Sequence, residues 1–169
     1  GIDLKKVKKN WRNKICLVPQ KIFLTNDSIK NNIAFGVEED KIKENKVKEA
    51  IQQSQLEDFI NKLPNGINTE IGDRGIEISG GEQQRIGIAR ALYRDSEVII
   101  LDEFTNSLDK KNEDNLMDLI KYLNGKKTLI IIAHKKDLIN FCDQKYILNE
   151  GELKKINEWK SHCNNFLWV

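Results

Sequence analysis

The chain has 169 residues, which suffices for one domain with a substantial hydrophobic core. Its 28 Lys and Arg residues nearly balance 26 Asp and Glu residues, and the net charge of +2 gives no case for a nucleic-acid or anionic membrane partner. No apolar run approaches the roughly 20 residues that span a bilayer, and three widely spaced cysteines form no metal-binding pattern.

The first half of the chain predicts one short strand followed by mainly helical segments. Apolar residues that stop at Pro19 predict the strand, and periodic apolar positions with polar capping residues predict the helices. The predicted elements are a strand over 14–18, a short helix over 27–33 capped by Asp27, a longer helix over 41–60, and a helix from Gly80 to Tyr93 capped by Ser79.

The second half alternates strands and helices. The continuous apolar run from Val98 to Leu101 is typical of a parallel strand buried on both faces. It is followed by a helix over 110–123, a second buried strand over 128–133, a short helix over 135–141, and a hairpin over 145–149 and 152–156 around Glu150 and Gly151. This alternation predicts an α/β fold with a parallel sheet that the earlier helical stretch interrupts.

The strongest chemical signal is the segment Ser79-Gly80-Gly81-Glu82 at the start of the predicted helix over 80–93. Two adjacent glycines let backbone N–H groups approach an anion closely, and the positive end of the helix points to the same place. The serine hydroxyl adds a further donor. The segment therefore predicts a phosphate-binding surface, and the alternative is an ordinary helix start after a glycine turn.

A second signal is the pair Asp102 and Glu103, which follows the buried strand over 98–101. Ligands of α/β folds bind at the carboxyl ends of the parallel strands. Asp102 is suited to hold Mg²⁺ through water, and Glu103 is suited to polarise a water that attacks a γ-phosphate. The alternative is a solvated strand end, where acidic residues are common.

With their spacing and order, these segments resemble the ABC ATPase family over nearly the whole chain. The matching segments are Ser79–Glu82 with the signature motif, 98–102 with the Walker B strand, Glu103 with the catalytic glutamate, 107–109 with the D-loop, 132–134 with the switch histidine, and 18–20 with the Q-loop. The resemblance implies a P-loop NTPase-like parallel sheet core over 1–24 and 94–169. It also implies an inserted ABC-type helical subdomain over 25–93 that carries the signature motif.

The resemblance also implies ATP and Mg²⁺ as ligands and a role for each matching residue. Glu103 and His134 would be catalytic, with His134 holding the γ-phosphate and the attacking water. The nucleotide would contact Ser79, Gly80, Gly81, Glu82, Gln20 and Asp109, and Mg²⁺ would be held by Asp102 and Gln20. Phosphoryl transfer needs mainly such positioning and charge stabilisation.

Two further segments are similar to the exporter type of this family. One is the string over 22–36, and the other is Glu70–Gly75, which resembles the exporter X-loop although Asp73 stands where Glu is usual. An exporter implies ATP hydrolysis coupled to transport at the cytoplasmic face of the inner membrane. Its expected partners are a second ABC ATPase domain in a head-to-tail dimer and the coupling helices of a transmembrane domain, contacted through Gln20 and the Glu70–Gly75 region. No nucleic-acid partner is expected, and the residues do not encode the cargo.

The sequence departs from the family pattern at several points. It contains no Gly-x-x-x-x-Gly-Lys-Ser/Thr phosphate loop, so we expect that the family's Walker A segment is missing at the start and that the chain alone is not a competent ATPase. Glu82 stands where the family mostly has Gln, and Phe104 and Asn106 stand where small residues are usual. Two alternatives stay open: a degenerate, non-hydrolytic module that donates its signature motif in trans, and a non-transport ATPase of the ABC class.

Overall fold

The computed structural model describes residues 9–72, 75–106, 108–133, 142–156 and 166–168. Its strands are β1 (Ile15–Val18), β2 (Asp27–Ser28), β3 (Glu70–Ile71), β4 (Val98–Asp102), β5 (Thr128–Ile132), β6 (Lys145–Asn149), β7 (Glu152–Ile156) and β8 (Phe166–Trp168). Its α-helices are α1 (Ile29–Ile33), α2 (Glu44–Gln53), α3 (Glu57–Ile60), α4 (Gly80–Tyr93) and α5 (Lys110–Leu123). Six strands form one sheet in the order β1-β4-β5-β8-β6-β7, and β2 pairs with β3 separately.

The parallel part of the sheet consists of β1, β4 and β5, and it confirms the predicted α/β class. The strands β1, β4 and β5 follow one another along the chain, and they also lie side by side in that order across the sheet. Right-handed crossovers therefore place α4 and α5 on the same face, where they contact each other. On that face Ile99 and Leu101 are fully buried, whereas Leu17 on the opposite face is 55% exposed.

The predicted helix over 41–60 is wrong as a single element, because α2 ends at Gln53 and α3 begins at Glu57. Gln55 has a φ of 55°, a left-handed conformation that no continuous helix allows. The guanidinium of Arg85 in α4 donates to the backbone oxygens of Ser54 and Gln55, each at 3.2 Å. This contact satisfies carbonyls at the helix end, and the turn brings the fully buried Leu56 into the core.

The prediction that Asp27 caps the first helix is also wrong. Ser28 is the N-cap of α1, and its hydroxyl accepts the backbone N–H of Asn31 at 3.1 Å. Asp27 instead lies in β2, opposite Ile71 of β3. A serine and an aspartate in sequence offer equally good caps, and the long-range pairing of β2 with β3 decides between them.

The C-terminal hairpin is confirmed as predicted, with β6 and β7 antiparallel around Glu150 and Gly151. These residues have φ values of 48° and 81°, which is the twist of a two-residue type I′ turn. The strand β8 was not predicted, and it lies antiparallel between β5 and β6. The helix predicted over 135–141 lies outside the described residues. None of the helices in the described ranges is long and apolar enough to cross a membrane.

Candidate nucleotide site

Three of the predicted site residues meet at the carboxyl edge of the parallel strands. Asp102 is the last residue of β4 and is partly buried. Because Val18 lies opposite Leu101 in the parallel register, Gln20 follows β1 at the level where Glu103 follows β4. Strand pairing therefore brings Gln20, Asp102 and Glu103 to one edge, which is where α/β folds bind ligands.

Glu103 has an unusual backbone and a fixed side chain. Its φ is 44°, and its N–H donates to the carbonyl of Ile132 at 2.9 Å. Asn106 donates from Nδ2 to Oε2 of Glu103 at 2.7 Å. A non-glycine residue with positive φ costs of order 1–3 kcal/mol and is found most often at functional sites. Sequence reasoning noted Asn106 only as a departure from the family, whereas the structure shows that it orients the carboxylate.

The second cluster is the signature surface, defined here as Ser79–Glu82 at the start of α4. Ser79 and Glu82 form a capping box in which the Ser79 hydroxyl accepts the N–H of Glu82 at 3.3 Å. In return, Oε2 of Glu82 accepts the backbone N–H of Ser79 at 2.9 Å and its hydroxyl at 2.6 Å. Two of the donors expected to face a phosphate are thus held by the Glu82 carboxylate.

The first turn of α5 packs against the signature surface. A Cβ on Gly81 would lie 3.0 Å from Oδ1 of Asn112, so a larger residue would push that side chain aside. Asn112 is held by Asp109, whose carboxylate accepts its backbone N–H at 2.9 Å and its side-chain amide at 2.6 Å. These hydrogen bonds lower the pKa of Asp109, the backbone one most strongly. Asn112 thereby joins Asp109 to Gly81.

Other predicted residues lie in different places. His134 and Ser107 lie outside the described residues, as do Asp73 and Arg74 of the X-loop segment. The described part of that segment contains β3 and a turn in which Gly75 donates its N–H to the carbonyl of Gly72 at 3.0 Å. Phe104, a departure from the family, is 1% exposed and belongs to the core beside the carboxyl edge.

The carboxyl edge fits a magnesium ion that also binds phosphates. Mg²⁺ commonly takes one or two protein carboxylates, and phosphate oxygens and water complete its octahedron. Asp102 carries such a carboxylate, and Gln20, which follows β1 at the same edge, carries an amide oxygen. Within the described ranges no group of three His, Cys, Asp or Glu side chains is arranged to hold a metal ion.

The fold and this edge define the class of protein. A parallel α/β sheet that ends in Asp102 and Glu103, beside a capped glycine-rich helix, is the core of a P-loop NTPase-like domain. The model of the ABC transporter family matches residues 1–106. The chain belongs to the ABC transporter family.

The proteins that the chain resembles include lipid flippases and an ABC exporter of known structure. The chain is 39% identical over 145 residues to the ATP-dependent lipid A-core flippase of Idiomarina loihiensis, covering 86% of this chain and 25% of the relative. It is 41% identical over 140 residues to that of Salmonella typhimurium, covering 83% and 24%. A bacterial Atm1-family ABC exporter solved with ATP bound aligns with a TM-score of 0.70 and 36% identity, over 83% of this chain and 24% of the exporter. The chain thus spans about a quarter of these proteins, and the predicted exporter-type family is confirmed.

Proposed function

We propose that the chain is the signature-bearing part of an ATP-hydrolysing motor in an ABC exporter, with ATP and Mg²⁺ as ligands. The observation that carries this proposal is the carboxyl edge, where Asp102 ends β4, Glu103 follows it, and Gln20 follows β1 at the same level. The similarity to flippases and to an exporter with ATP bound supports the transport setting.

Each residue has a distinct part in the proposed reaction. Asp102 would hold Mg²⁺ through water, and Gln20 would contact the ion or its water. Glu103 accepts a proton from the water that attacks the γ-phosphate, and the Asn106 amide holds its carboxylate in one orientation. His134 positions the γ-phosphate and that water. The ion supplies charge stabilisation for the transferred phosphoryl group.

The signature surface acts on a different nucleotide. In a head-to-tail dimer, the N–H groups and hydroxyl of Ser79–Gly81 would bind the γ-phosphate of an ATP that the phosphate loop of a second ABC domain holds, and Asp109 would contact the same nucleotide. We place the coupling helices of a transmembrane domain against Gln20 and the Glu70–Gly75 region, on the cytoplasmic side of the membrane. The division into a core over 1–24 and 94–169 and a helical subdomain over 25–93 is part of this proposal.

The test compares this chain with an extended chain, defined as the same residues placed after a segment that carries a Gly-x-x-x-x-Gly-Lys-Ser/Thr loop. We expect Mg-ATP to bind and be hydrolysed by the extended chain only. Glu103→Gln should then lower turnover by roughly 100-fold or more while ATP still binds, and Glu97→Gln at the other end of β4 is the matched control. Equal turnover in the Glu103→Gln and Glu97→Gln variants would overturn the general-base assignment.

The second candidate is a non-hydrolytic module that donates its signature motif in trans. The 169 residues contain no Gly-x-x-x-x-Gly-Lys-Ser/Thr loop, which favours this candidate. Both candidates require the Glu82 carboxylate to leave the Ser79 donors before a phosphate can bind. This candidate predicts ATP-dependent association of the chain with a separate loop-bearing ABC domain and no hydrolysis by the extended chain. Ser79→Arg should abolish association under both candidates, so its failure to do so would exclude a phosphate-binding role for the signature surface.

A further inference from the structure

Gln84 links two parts of the proposed site that are far apart in sequence. It lies in the second turn of α4, five residues after Ser79, and its side chain is 3% exposed. Its Nε2 donates to the backbone carbonyl of Gln20 at 2.7 Å. At 1.5 Å of rise per residue, this contact lies only about 7–8 Å along the helix from the signature surface.

Close packing reinforces the same contact one turn later. A Cβ on Gly87 would lie 2.6 Å from Cδ1 of Ile22 and 3.1 Å from Cγ1 of Val18. Gly87 therefore lets α4 approach Val18 and Ile22, which lie on either side of Gln20 in sequence. The hydrogen bond from Gln84 to Gln20 lies between these two contacts, on the same face of α4. We call residues 19–22 the Gln20 turn; α4 holds it by packing and by one buried hydrogen bond.

The side-chain oxygen of Gln84, Oε1, lowers the contribution of this residue to folding stability. This oxygen is buried, and none of the described residues donates a hydrogen bond to it. An unsatisfied buried acceptor costs about 1–3 kcal/mol, whereas a neutral hydrogen bond contributes about 0.5–1.5 kcal/mol net. Methionine, which has nearly the same shape, would fill the space without this cost. The hydrogen bond to Gln20 therefore contributes little net stability, and its direct effect is to fix the position of the Gln20 carbonyl relative to α4.

We propose that Gln84 is a positioning residue, which fixes the Gln20 turn to α4 so that Gln20 and the signature surface move as one rigid unit. The consequence for catalysis rests on the proposed function. A nucleotide that draws Gln20 toward Mg²⁺ then also moves the Ser79 end of the same helix. Through this link, occupancy of one nucleotide site biases the geometry offered to the other.

The chain itself offers a matched control. Gln83 precedes Gln84 on the same helix, but its Nε2 donates to the carbonyl of Ile78 at 3.1 Å. We would compare Gln84→Met with Gln83→Met, and add Gln84→His, which keeps an N–H donor. The backbone order parameters of residues 20–24, measured by NMR relaxation on the 169-residue chain, should fall by about 0.1–0.2 for Gln84→Met, since rigid backbone has a value of about 0.85 and flexible backbone one below about 0.6. The Gln83→Met variant should leave that segment unchanged, and equal order parameters in both variants would overturn the link.

Stability and Mg²⁺ dependence separate a positioning role from a structural one. Gln84→Met should unfold at the same urea concentration as the wild type or a higher one. In the extended chain it should raise the Mg²⁺ concentration for half-maximal ATP hydrolysis about two- to tenfold, and Gln84→His should restore part of the loss. In a Gln20→Ala background the same substitution should have no further effect, because the side chain it positions is gone.

The outcomes also separate this inference from the proposed function. If the extended wild-type chain hydrolyses ATP and Gln84→Met lowers activity equally with and without Gln20, the inference is wrong and the proposed function stands. If the extended wild-type chain neither binds nor hydrolyses ATP, the proposed function is wrong. The NMR order parameters of the 169-residue chain then still decide whether Gln84 holds the Gln20 turn.

Discussion

Replacing Asn32 by alanine should destabilise the chain more than any surface substitution in the same helix. Asn32 is fully buried, and its Oδ1 accepts the N–H of Thr25 at 2.9 Å and the guanidinium of Arg90 at 3.1 Å. Its Nδ2 donates to the carbonyls of Thr25 and Ser28, each at 3.0 Å, and to that of Asp27 at 3.3 Å. One side chain thus satisfies the backbone before α1 and ties it to α4.

The expected loss follows from these bonds. Each buried polar group left without a partner costs about 1–3 kcal/mol, and relaxation and water will recover part of the total, so we expect a loss of about 3–4 kcal/mol. Domains of this size are stable by about 5–15 kcal/mol. With a urea dependence of about 2 kcal/mol per molar, the unfolding midpoint should fall by roughly 1.5–2 M.

Asn31, the preceding residue, provides the control for this measurement. Its amide donates to the exposed carboxylate of Asp27 at 2.8 Å, a contact that water can replace. Asn31→Ala should therefore lower the unfolding free energy by less than about 1 kcal/mol. If urea titration followed by circular dichroism gave the same midpoint for Asn32→Ala and Asn31→Ala, the buried network would not hold α1 against α4.

Three further substitutions test other contacts by urea titration. Gly87→Ala should cost a net of roughly 1 kcal/mol, because the clash with Ile22 outweighs the gain in helix propensity; stabilisation would mean that Ile22 can move away. Ser79→Ala should cost about 1 kcal/mol by removing the cap of α4, and no loss would show that the capping box is not formed. Burial raises the pKa of Cys142 to about 11, so between pH 9 and 11 only the unfolded state loses the thiol proton and stability falls as pH rises. Cys142→Ala should reduce that fall, and an unchanged slope would contradict the shift.

The elements that sequence predicted correctly are those whose signals are local. The helix α4 begins at a serine cap, and α5 begins at Asp109, whose carboxylate accepts the N–H of Asn112. The hairpin of β6 and β7 follows from Glu150-Gly151. Gln55 was not foreseen as a break, because its positive φ depends on Arg85, which is 30 residues away in sequence.

The same distinction holds at the candidate site. Parallel strands bring their carboxyl ends together, so the order of motifs sufficed to place Gln20, Asp102 and Glu103 at one edge. The hydrogen bond between Gln84 and Gln20 spans 64 residues and has no sequence pattern. The roles assigned to these residues, and to His134, stay predictions.

The capping box changes how ligand binding at the signature surface must be understood. In the free chain the Glu82 carboxylate already satisfies the hydroxyl and the N–H of Ser79, at the positive end of α4. A phosphate arriving there exchanges one anion for another, so its binding free energy is the difference between two similar interactions. A neutral glutamine would compete less, since hydrogen bonds to charged acceptors are roughly twice as strong as neutral ones. Glu82 thus stabilises the start of α4, and under the proposed function we expect it to weaken phosphate binding for the same reason.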